Sequence, residues 1–401
     1  MNTSIGDRIR CLREFRDMTQ EGLARRAGVS ADTIRKLEQG VRQSARINTL
    51  RALARALDVQ LERLVGQPTV TRTISEDGGL IALRDAIQDI GALPGVPVDD
   101  DVEEPPGADV WIASVKTAAA MYWQGQYSEL SGTLPLLLRD GRAVVRENPT
   151  EPVWQQLALA YQIAASLAAQ SGHADWAFQA VERQLAAARR ASDPLMEGMG
   201  VSTLSWVLLR QGRWEQAQAI AEKKADELEP SFRRATPDHL AVYGSLLVAA
   251  ATPAARRDRH DDAVHLLTVA EAAAIRSGQV HAYGSAFSPV DVRTQKVNVL
   301  LAGSESRPDE ALRHAGRVDI REISRPVHCA HYRVDVAQAQ YQTGDGSGAL
   351  ATLLEVEAEQ PEWIKFQALA TATVREMLEA ERRRNTPLRG LAARLGVDPT
   401  G

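Results

Sequence analysis

Three charged residues with a spacing suited to binding lie close together in the chain, at Asp32, Arg35 and Lys36. If this segment is a helix, intervals of three and four residues place them on one face, with Ile34 on the other. Guanidinium and ammonium groups donate hydrogen bonds to phosphates and to the edges of base pairs. A short helix that leaves the outer face of residues 31–36 free is therefore suited to the major groove of DNA.

Two helices and a tight turn must hold that face in place. Thr19 is predicted to cap the first helix and Ser30 the second, because a hydroxyl oxygen can accept a hydrogen bond from the unpaired N–H groups of a first turn. Gly28 lies between the helices and suits the sharp corner. Apolar residues at helical spacing predict that the two helices pack together, namely Leu23, Ala24, Ala27, Val29, Ile34 and Leu37. A third helix is predicted to follow, as far as Leu57.

Residues 5–66 resemble the helix-turn-helix domain of phage repressors and of the xenobiotic-response-element (XRE) family of bacterial regulators. The matching residues are Leu12-Arg13, Thr19-Gln20-Glu21, Leu23-Ala24, Gly28-Val29-Ser30, Thr33-Ile34, Leu37-Glu38, Gly40 and Thr49-Leu50. Within this pattern, Arg13 and Glu38 match an internal ion pair of the fold. On this resemblance we assign residues 1–66, called the head below, to a DNA-binding domain.

The resemblance implies a role for several polar residues of the head. Ala31, Asp32 and Lys36 match the positions that face bases, and Arg35 lies on the same outer face. Five residues are assigned to contacts with the sugar-phosphate backbone: Gln20, Ser30, Thr33, Arg42 and Arg46. Phage repressors often carry glutamine at base-facing positions, so Ala31 and Asp32 leave the operator sequence open.

Charge is unevenly distributed along the chain. Residues 1–66 carry 13 Lys/Arg and 8 Asp/Glu, a net charge of +5, whereas the remainder carries 34 and 44, a net charge of −10. A basic domain on an acidic body is expected when phosphate binding is confined to one domain. Solvation of helix faces accounts equally well for any single arginine, but it does not explain the whole motif.

Length and composition limit the number of domains and the class of protein. A chain of 401 residues has room for two or three domains. Cys11 and Cys329 lie far apart, so no disulfide framework is expected, and Cys11 is predicted to be a small core residue. No apolar run reaches the roughly 18 to 20 residues that span a membrane. With no visible signal peptide, we expect a cytoplasmic protein without a membrane partner.

Residues 67–109 are predicted to form a linker. A short helix is expected from Leu80 to about Ile90, before a run rich in proline and acidic residues. Proline and like charges favour an extended connector. The acidic residues are Asp99, Asp100, Asp101, Glu103 and Glu104. They form either a solvated surface or a screen for the basic head.

Residues 110–384, called the array below, are predicted to be paired helices. Similar turns recur at Gly125, Gly172, Gly212, near Arg259, at Gly303 and at Gly344. Their spacing averages about 44 residues, longer than the roughly 34 of a tetratricopeptide repeat (TPR), whose turn residues they resemble. Stacking about six pairs would cover the apolar stripe of each pair and form a solenoid with a concave inner surface. Residues 385–401 are predicted to be a tail with one helix, from Leu388 to Leu395.

The concave surface is the predicted ligand site. Aligning each turn with the repeat pattern directs seven side chains into the groove: Tyr122, Gln162, Trp206, Arg210, Arg293, Gln338 and Tyr341. A wall of aromatic, amide and arginine side chains suits a peptide or a small anionic ligand. Packing within a repeat is the alternative role for each of them.

Other clusters of reactive residue types match no known catalytic or metal site. His328 and His331 have no second pair of ligands, and the turn from His260 to His265 has no known ligand spacing. Residues 344–348 are rich in glycine but lack the Lys-Ser/Thr of a phosphate-binding loop. We therefore expect no catalytic residues, no metal, no cofactor and no enzymatic activity.

The whole pattern predicts an all-α protein, with an N-terminal phage-repressor-like helix-turn-helix domain and a C-terminal TPR-like α-solenoid. This combination resembles the RRNPP quorum-sensing regulators and the XRE-TPR regulators of actinomycetes. The resemblance implies a homodimeric transcriptional regulator that binds a double-stranded DNA operator, with a signalling peptide or small molecule in the groove. Two alternatives stay open: an interaction scaffold tethered to DNA, and an antitoxin or phage-defence repressor of its own operon.

Overall fold

The described part of the chain is almost entirely helical, which confirms the predicted all-α class. A computed structural model describes residues 4–16, 18–42, 45, 47–57, 59, 64, 74–90, 105–380 and 385–397. Arg46 and the acidic residues 99–104 of the predicted linker lie outside this part. Among the described helices, none combines the length and the apolar character needed to cross a bilayer.

The head contains the helices α1 (Ile5–Phe15), α2 (Gln20–Ala27), α3 (Ala31–Glu38) and α4 (Ile47–Ala56). Both predicted caps are confirmed. Thr19 Oγ1 accepts a hydrogen bond of 3.0 Å from the backbone N–H of Gly22, and Ser30 Oγ accepts one of 3.1 Å from that of Thr33. Gly28 has the left-handed conformation (φ 65°) that ends α2 and turns the chain into α3.

The apolar residues predicted to join α2 and α3 form the core of the head. Leu23, Ala24, Ala27, Ile34 and Leu37 are buried, and Val29 is partly buried against them. Helix α4 adds Leu50, Leu53 and Ala54 to the same core. The prediction for Cys11 is wrong, because its side chain is exposed. Helix α1 buries Ile9, and Cys11 lies about 200° further around the helix.

The α-helices with described bounds beyond the head run from residue 74 to residue 394. They are α5 (Ile74–Ile87), α6 (Ala108–Gln124), α7 (Tyr127–Glu147), α8 (Glu151–Gln170), α9 (Ala174–Arg190), α10 (Pro194–Arg210), α11 (Trp214–Glu227), α12 (Pro237–Arg256), α13 (His260–Ser277), α14 (Pro289–Leu301), α15 (Pro308–Ala315), α16 (Pro326–Gln342), α17 (Gly346–Glu359), α18 (Ala368–Glu379) and α19 (Thr386–Arg394). Two short strands, β1 (Val280–Ala282) and β2 (Ser285–Phe287), pair antiparallel, with Val280 opposite Phe287.

Tight turns join the helices of successive pairs from α6/α7 to α16/α17. A left-handed glycine, with φ between 76° and 94°, stands at Gly125, Gly172, Gly212, Gly303 and Gly344. Asp258 takes the left-handed conformation (φ 63°) at the turn between α12 and α13. These conformations confirm the predicted turns.

The array closes on itself. The first helix of each pair contacts the first helix of the next, and α16 also contacts α6 at the beginning. Across the closure, the backbone N–H of Ser128 donates a hydrogen bond of 2.8 Å to Glu362 Oε2, and Trp363 is buried beside the turn at Gly125. The inner surface is therefore the wall of a central cavity rather than an open groove.

Helices outside the six pairs pack onto the array. The helix predicted from Leu80 to Ile90 spans Ile74–Ile87, and it buries Leu80, Leu83 and Ile87 against α7 and its neighbours. The helix predicted from Leu388 to Leu395 spans Thr386–Arg394, and its apolar residues belong to the same core.

Candidate DNA-binding face and central cavity

The outer face of α3 is accessible. The side chains of Asp32, Arg35 and Lys36 are each more than half exposed, and Ala31 beside them is partly buried. Lys36 Nζ lies 2.7 Å from Asp32 Oδ2, and Arg35 Nη2 lies 3.6 Å from Asp32 Oδ1. The hydrogen bond from Lys36 lowers the pKa of Asp32, so the carboxylate stays ionised between two cations.

Four of the five residues assigned to DNA-backbone contacts lie in the described part. Ser30 is exposed at the start of α3, and its Oγ lies 2.8 Å from Thr33 Oγ1. Arg42 is exposed after α3. Gln20 is partly buried, and its Nε2 donates a hydrogen bond of 2.7 Å to Glu38 Oε2. Gln20 therefore belongs to the internal polar network of the head.

Arg13 and Glu38 form the internal ion pair that the resemblance implies. Arg13 Nε lies 2.7 Å from Glu38 Oε1, and Arg13 Nη2 lies 2.9 Å from Oε2, a bidentate contact. The side chain of Glu38 is 1% exposed. Burial alone would raise the pKa of Glu38, but the hydrogen bonds from Arg13 and Gln20 and the charge of Arg13 outweigh it, and the pKa is lowered.

This lowered pKa predicts acid sensitivity of the head. A carboxyl group whose pKa is lower in the folded state stabilises the fold fully above its unfolded value, here 4.5, and loses that contribution as the pH falls through the folded value. We expect protection of the α1–α3 amides from hydrogen exchange, corrected for intrinsic rates, to fall below pH 4.5. In Glu38→Gln the fall should be smaller. An equal pH dependence in both proteins would contradict this role of Glu38.

Helix α4 docks the head on the array. Arg51 Nη1 donates a hydrogen bond of 2.9 Å to the carbonyl oxygen of Leu301, and Arg51 Nη2 donates one of 2.9 Å to Gln338 Oε1. Arg55 forms an ion pair with Asp258. Leu301 is the last residue of α14, where the helix dipole is negative, so a guanidinium group is favoured there.

The cavity inside the array has a volume of about 450 Å³. Arg51 and Arg55 of α4 form part of its wall, where inner helices such as α14 end. The hairpin of β1 and β2 lies at the other end of α14, and its Gly284 packs beside Gln162 in the middle of α8. The cavity therefore lies between the head and the hairpin, within the ring of inner helices.

Four of the seven predicted groove residues line this cavity: Tyr122, Gln162, Trp206 and Arg210. Gln338 is buried and holds Arg51. Like Gln338, Arg293 and Tyr341 do not line the cavity. Arg293 Nε lies 3.3 Å from Glu271 Oε1 on α13, and Tyr341 packs against the main apolar core of the array. Arg293 lies on a face of α14 that turns away from the centre, whereas Tyr341 lies near the end of α16, beyond the residues of that helix that line the cavity.

The sequence pattern does not indicate that Arg51 and Arg55 belong to the cavity wall. Their interval of four residues predicts only that both guanidinium groups lie on one face of α4. The same pattern is typical of a solvated helix. Their location became evident only from the position of α4 across the array.

A buried acid and a histidine face each other in the cavity wall. Asn298 Nδ2 lies 3.2 Å and 3.1 Å from the two carboxyl oxygens of Asp335. Burial raises the pKa of Asp335, against the opposing effects of His331 and Asn298. His331 is exposed to the cavity but enclosed by protein, so desolvation lowers its pKa while Asp335 opposes the shift. Within the described residues, no group of three or more His, Cys, Asp or Glu is arranged to hold a metal ion.

Comparisons with known proteins bear on the head. Residues 4–65 match the family described as "Helix-turn-helix domain". No curated protein sequence matches the chain. One similar solved structure is the crystal structure of BtubC (BKLC) from P. vanneervenii, with a TM-score of 0.36 and 15% sequence identity over 64% of this chain and 92% of that chain. The helix-turn-helix match supports a DNA-binding regulator.

Proposed function

We propose that this chain is a transcriptional regulator. Its head binds an operator in double-stranded DNA, and its TPR-like array dimerises and senses a signal, a peptide or a small molecule, that controls operator binding. The observation that carries the proposal is the exposed face of α3, where Asp32, Arg35 and Lys36 project from a head with a closed core and capped helices.

The polar groups of this face suit DNA in two ways. Arg35 and Lys36 can donate to guanine acceptors in the major groove, while Asp32 can accept from the amino group of cytosine. In the free protein Asp32 neutralises part of the charge of Lys36. Binding therefore replaces a contact within α3 by contacts to base edges, which favours a specific sequence over general attraction to phosphate.

The position of α4 supports control by the array. The head is held at the end of the cavity by Arg51 and Arg55, so a molecule inside the cavity can favour one position of the head over another. In a dimer, the distance between two recognition helices must match half-sites about one helical turn apart. A change in head position alters that match without any change in α3 itself.

Selection of duplexes from a random library by the full-length chain, followed by fluorescence anisotropy, tests the proposal. We expect a selected duplex with two half-sites about 10 base pairs apart. Lys36→Ala should weaken binding to that duplex roughly tenfold or more, because a base contact is lost. Arg42→Ala should weaken binding to every duplex and lower the dependence on salt by about one counterion.

Lys223→Ala is the matched control, because Lys223 is exposed on α11 in the acidic body. Its affinity for the selected duplex should equal that of the wild type. Full affinity of the Lys36→Ala, Arg42→Ala double variant, or failure to select any sequence, would exclude the assigned DNA-binding face.

A further inference from the structure

Two buried hydrogen-bond donors in the cavity wall have no acceptor among the described residues. They are Gln170 Nε2 and Trp214 Nε1, whose side chains are at least nine-tenths buried. Gln170 ends α8, and Trp214 begins α11 directly after the turn that follows Arg210. A buried donor without an acceptor costs free energy. Both residues line the cavity, so a ligand that reaches them with an acceptor atom would satisfy these donors.

The charged residues of the cavity wall indicate the sign of the ligand's charge. Arg51, Arg210 and Arg256 line the cavity, against the carboxylates of Asp291 and Asp335, while Arg55 in the same wall is paired with Asp258. Among the described residues, no carboxylate lies within ion-pair distance of Arg210, and its guanidinium group stacks 5.6 Å from the centre of the Trp206 ring. A cation held over an aromatic ring in an enclosed site is available to an anion.

The volume of the cavity and its apolar surface limit the class of ligand further. A volume of about 450 Å³ falls in the range of sites for small molecules and is too small for a long peptide chain. Trp206 and Tyr122 provide flat apolar surface beside Arg210. Burial raises the pKa of Tyr122 to about 12, so its hydroxyl group stays protonated. The wall therefore combines cations and hydrogen-bond donors with aromatic surface.

We propose that the cavity binds a small aromatic organic anion, such as a carboxylate, with its charged group at Arg210 and its acceptors toward Gln170 and Trp214. This proposal rests on the function proposed above, since it names the class of signal that the array senses. Because Arg51 and Arg55 belong to the same wall, the bound anion also stabilises the docked position of the head.

A displacement titration of the full-length chain tests the site without DNA. The fluorescent probe is 8-anilinonaphthalene-1-sulfonate, and the competitors are 1-naphthoate and 1-naphthamide, which share a ring system and differ in charge. We expect naphthoate to displace the probe at a concentration roughly tenfold lower than naphthamide does. Arg210→Gln should weaken naphthoate binding roughly tenfold and remove most of the difference between the competitors.

Arg213→Gln is the matched control, because Arg213 is exposed on the following turn and does not line the cavity. It should bind naphthoate as the wild type does. If Arg210→Gln loses helicity by circular dichroism, Gln170→Met, which removes the amide group with its unpartnered Nε2 donor, is tested by the same displacement titration. Equal displacement by both competitors, or unchanged affinity in the folded cavity variant, would overturn the proposal.

Hydrogen exchange of α4 tests the link to the head. Bound naphthoate should slow exchange of the α4 amides in the wild type and in Arg213→Gln, but not in Arg210→Gln. Unchanged α4 exchange at saturating naphthoate would overturn the link. Failure of DNA selection alongside specific naphthoate binding would instead contradict the proposed regulator and leave the anion site in place.

Discussion

Arg13→Met should destabilise the head more than any surface substitution. The change leaves the Glu38 carboxylate inside the head without its bidentate partner, and removing one member of a buried ion pair costs about 3–5 kcal/mol. We expect the α1–α3 amides to lose most of their protection in native-state hydrogen exchange, while the array keeps its own. The affinity for the selected duplex should fall in parallel, because Arg13 no longer holds α3 against α1.

Two further variants distinguish the loss of the ion pair from the general effect on stability of removing an arginine. Arg25→Met removes an exposed arginine from α2 and should change stability by less than about 0.5 kcal/mol. The double variant Arg13→Met, Glu38→Leu replaces the pair by apolar groups and should recover much of the loss. Wild-type protection in Arg13→Met would show that the pair does not stabilise the head.

Gly6→Ala is the second change with a large expected effect. A Cβ atom at Gly6 would lie 1.9 Å from the carbonyl oxygen of Leu37 and 2.7 Å from its carbonyl carbon. Both are backbone atoms of α3, so no side chain can move aside, and α1 and α3 must separate. Overpacking of this kind costs about 3 kcal/mol or more. Protection of the head amides and affinity for the selected duplex should both fall.

Gly132→Ala is the control for this substitution. Gly132 is exposed in α7, and nothing lies within 4 Å of its would-be Cβ atom. Alanine there should stabilise the helix by about 0.5–1 kcal/mol, because glycine loses more backbone freedom on folding. If Gly6→Ala unfolded at the same denaturant concentration as the wild type, α1 and α3 could not be as close as the structure places them.

The head was predictable because its signals are local. A hydroxyl group at Thr19 or Ser30 and the first turn that it caps lie within four residues, and Gly28 ends α2 by its own backbone preference. Cys11 was misplaced because a weakly apolar residue on a short helix can lie on either side of the apolar stripe. The tight approach of Gly6 to Leu37 joins residues of α1 and α3, so no pattern within one helix indicates it.

The sequence by itself determined the elements of this protein: the helices, the caps, the glycine turns of the array and the charged outer face of α3. Each depends on backbone preference or on the period of apolar residues within one helix pair. The tertiary structure alone decided the ring closure and the position of α4 on the array. The closure follows from small rotations that accumulate from pair to pair, and the docking of α4 joins residues as far apart as Arg51 and Gln338. For that reason Arg210 could be predicted for the inner surface, while Arg51 and Arg55 could not.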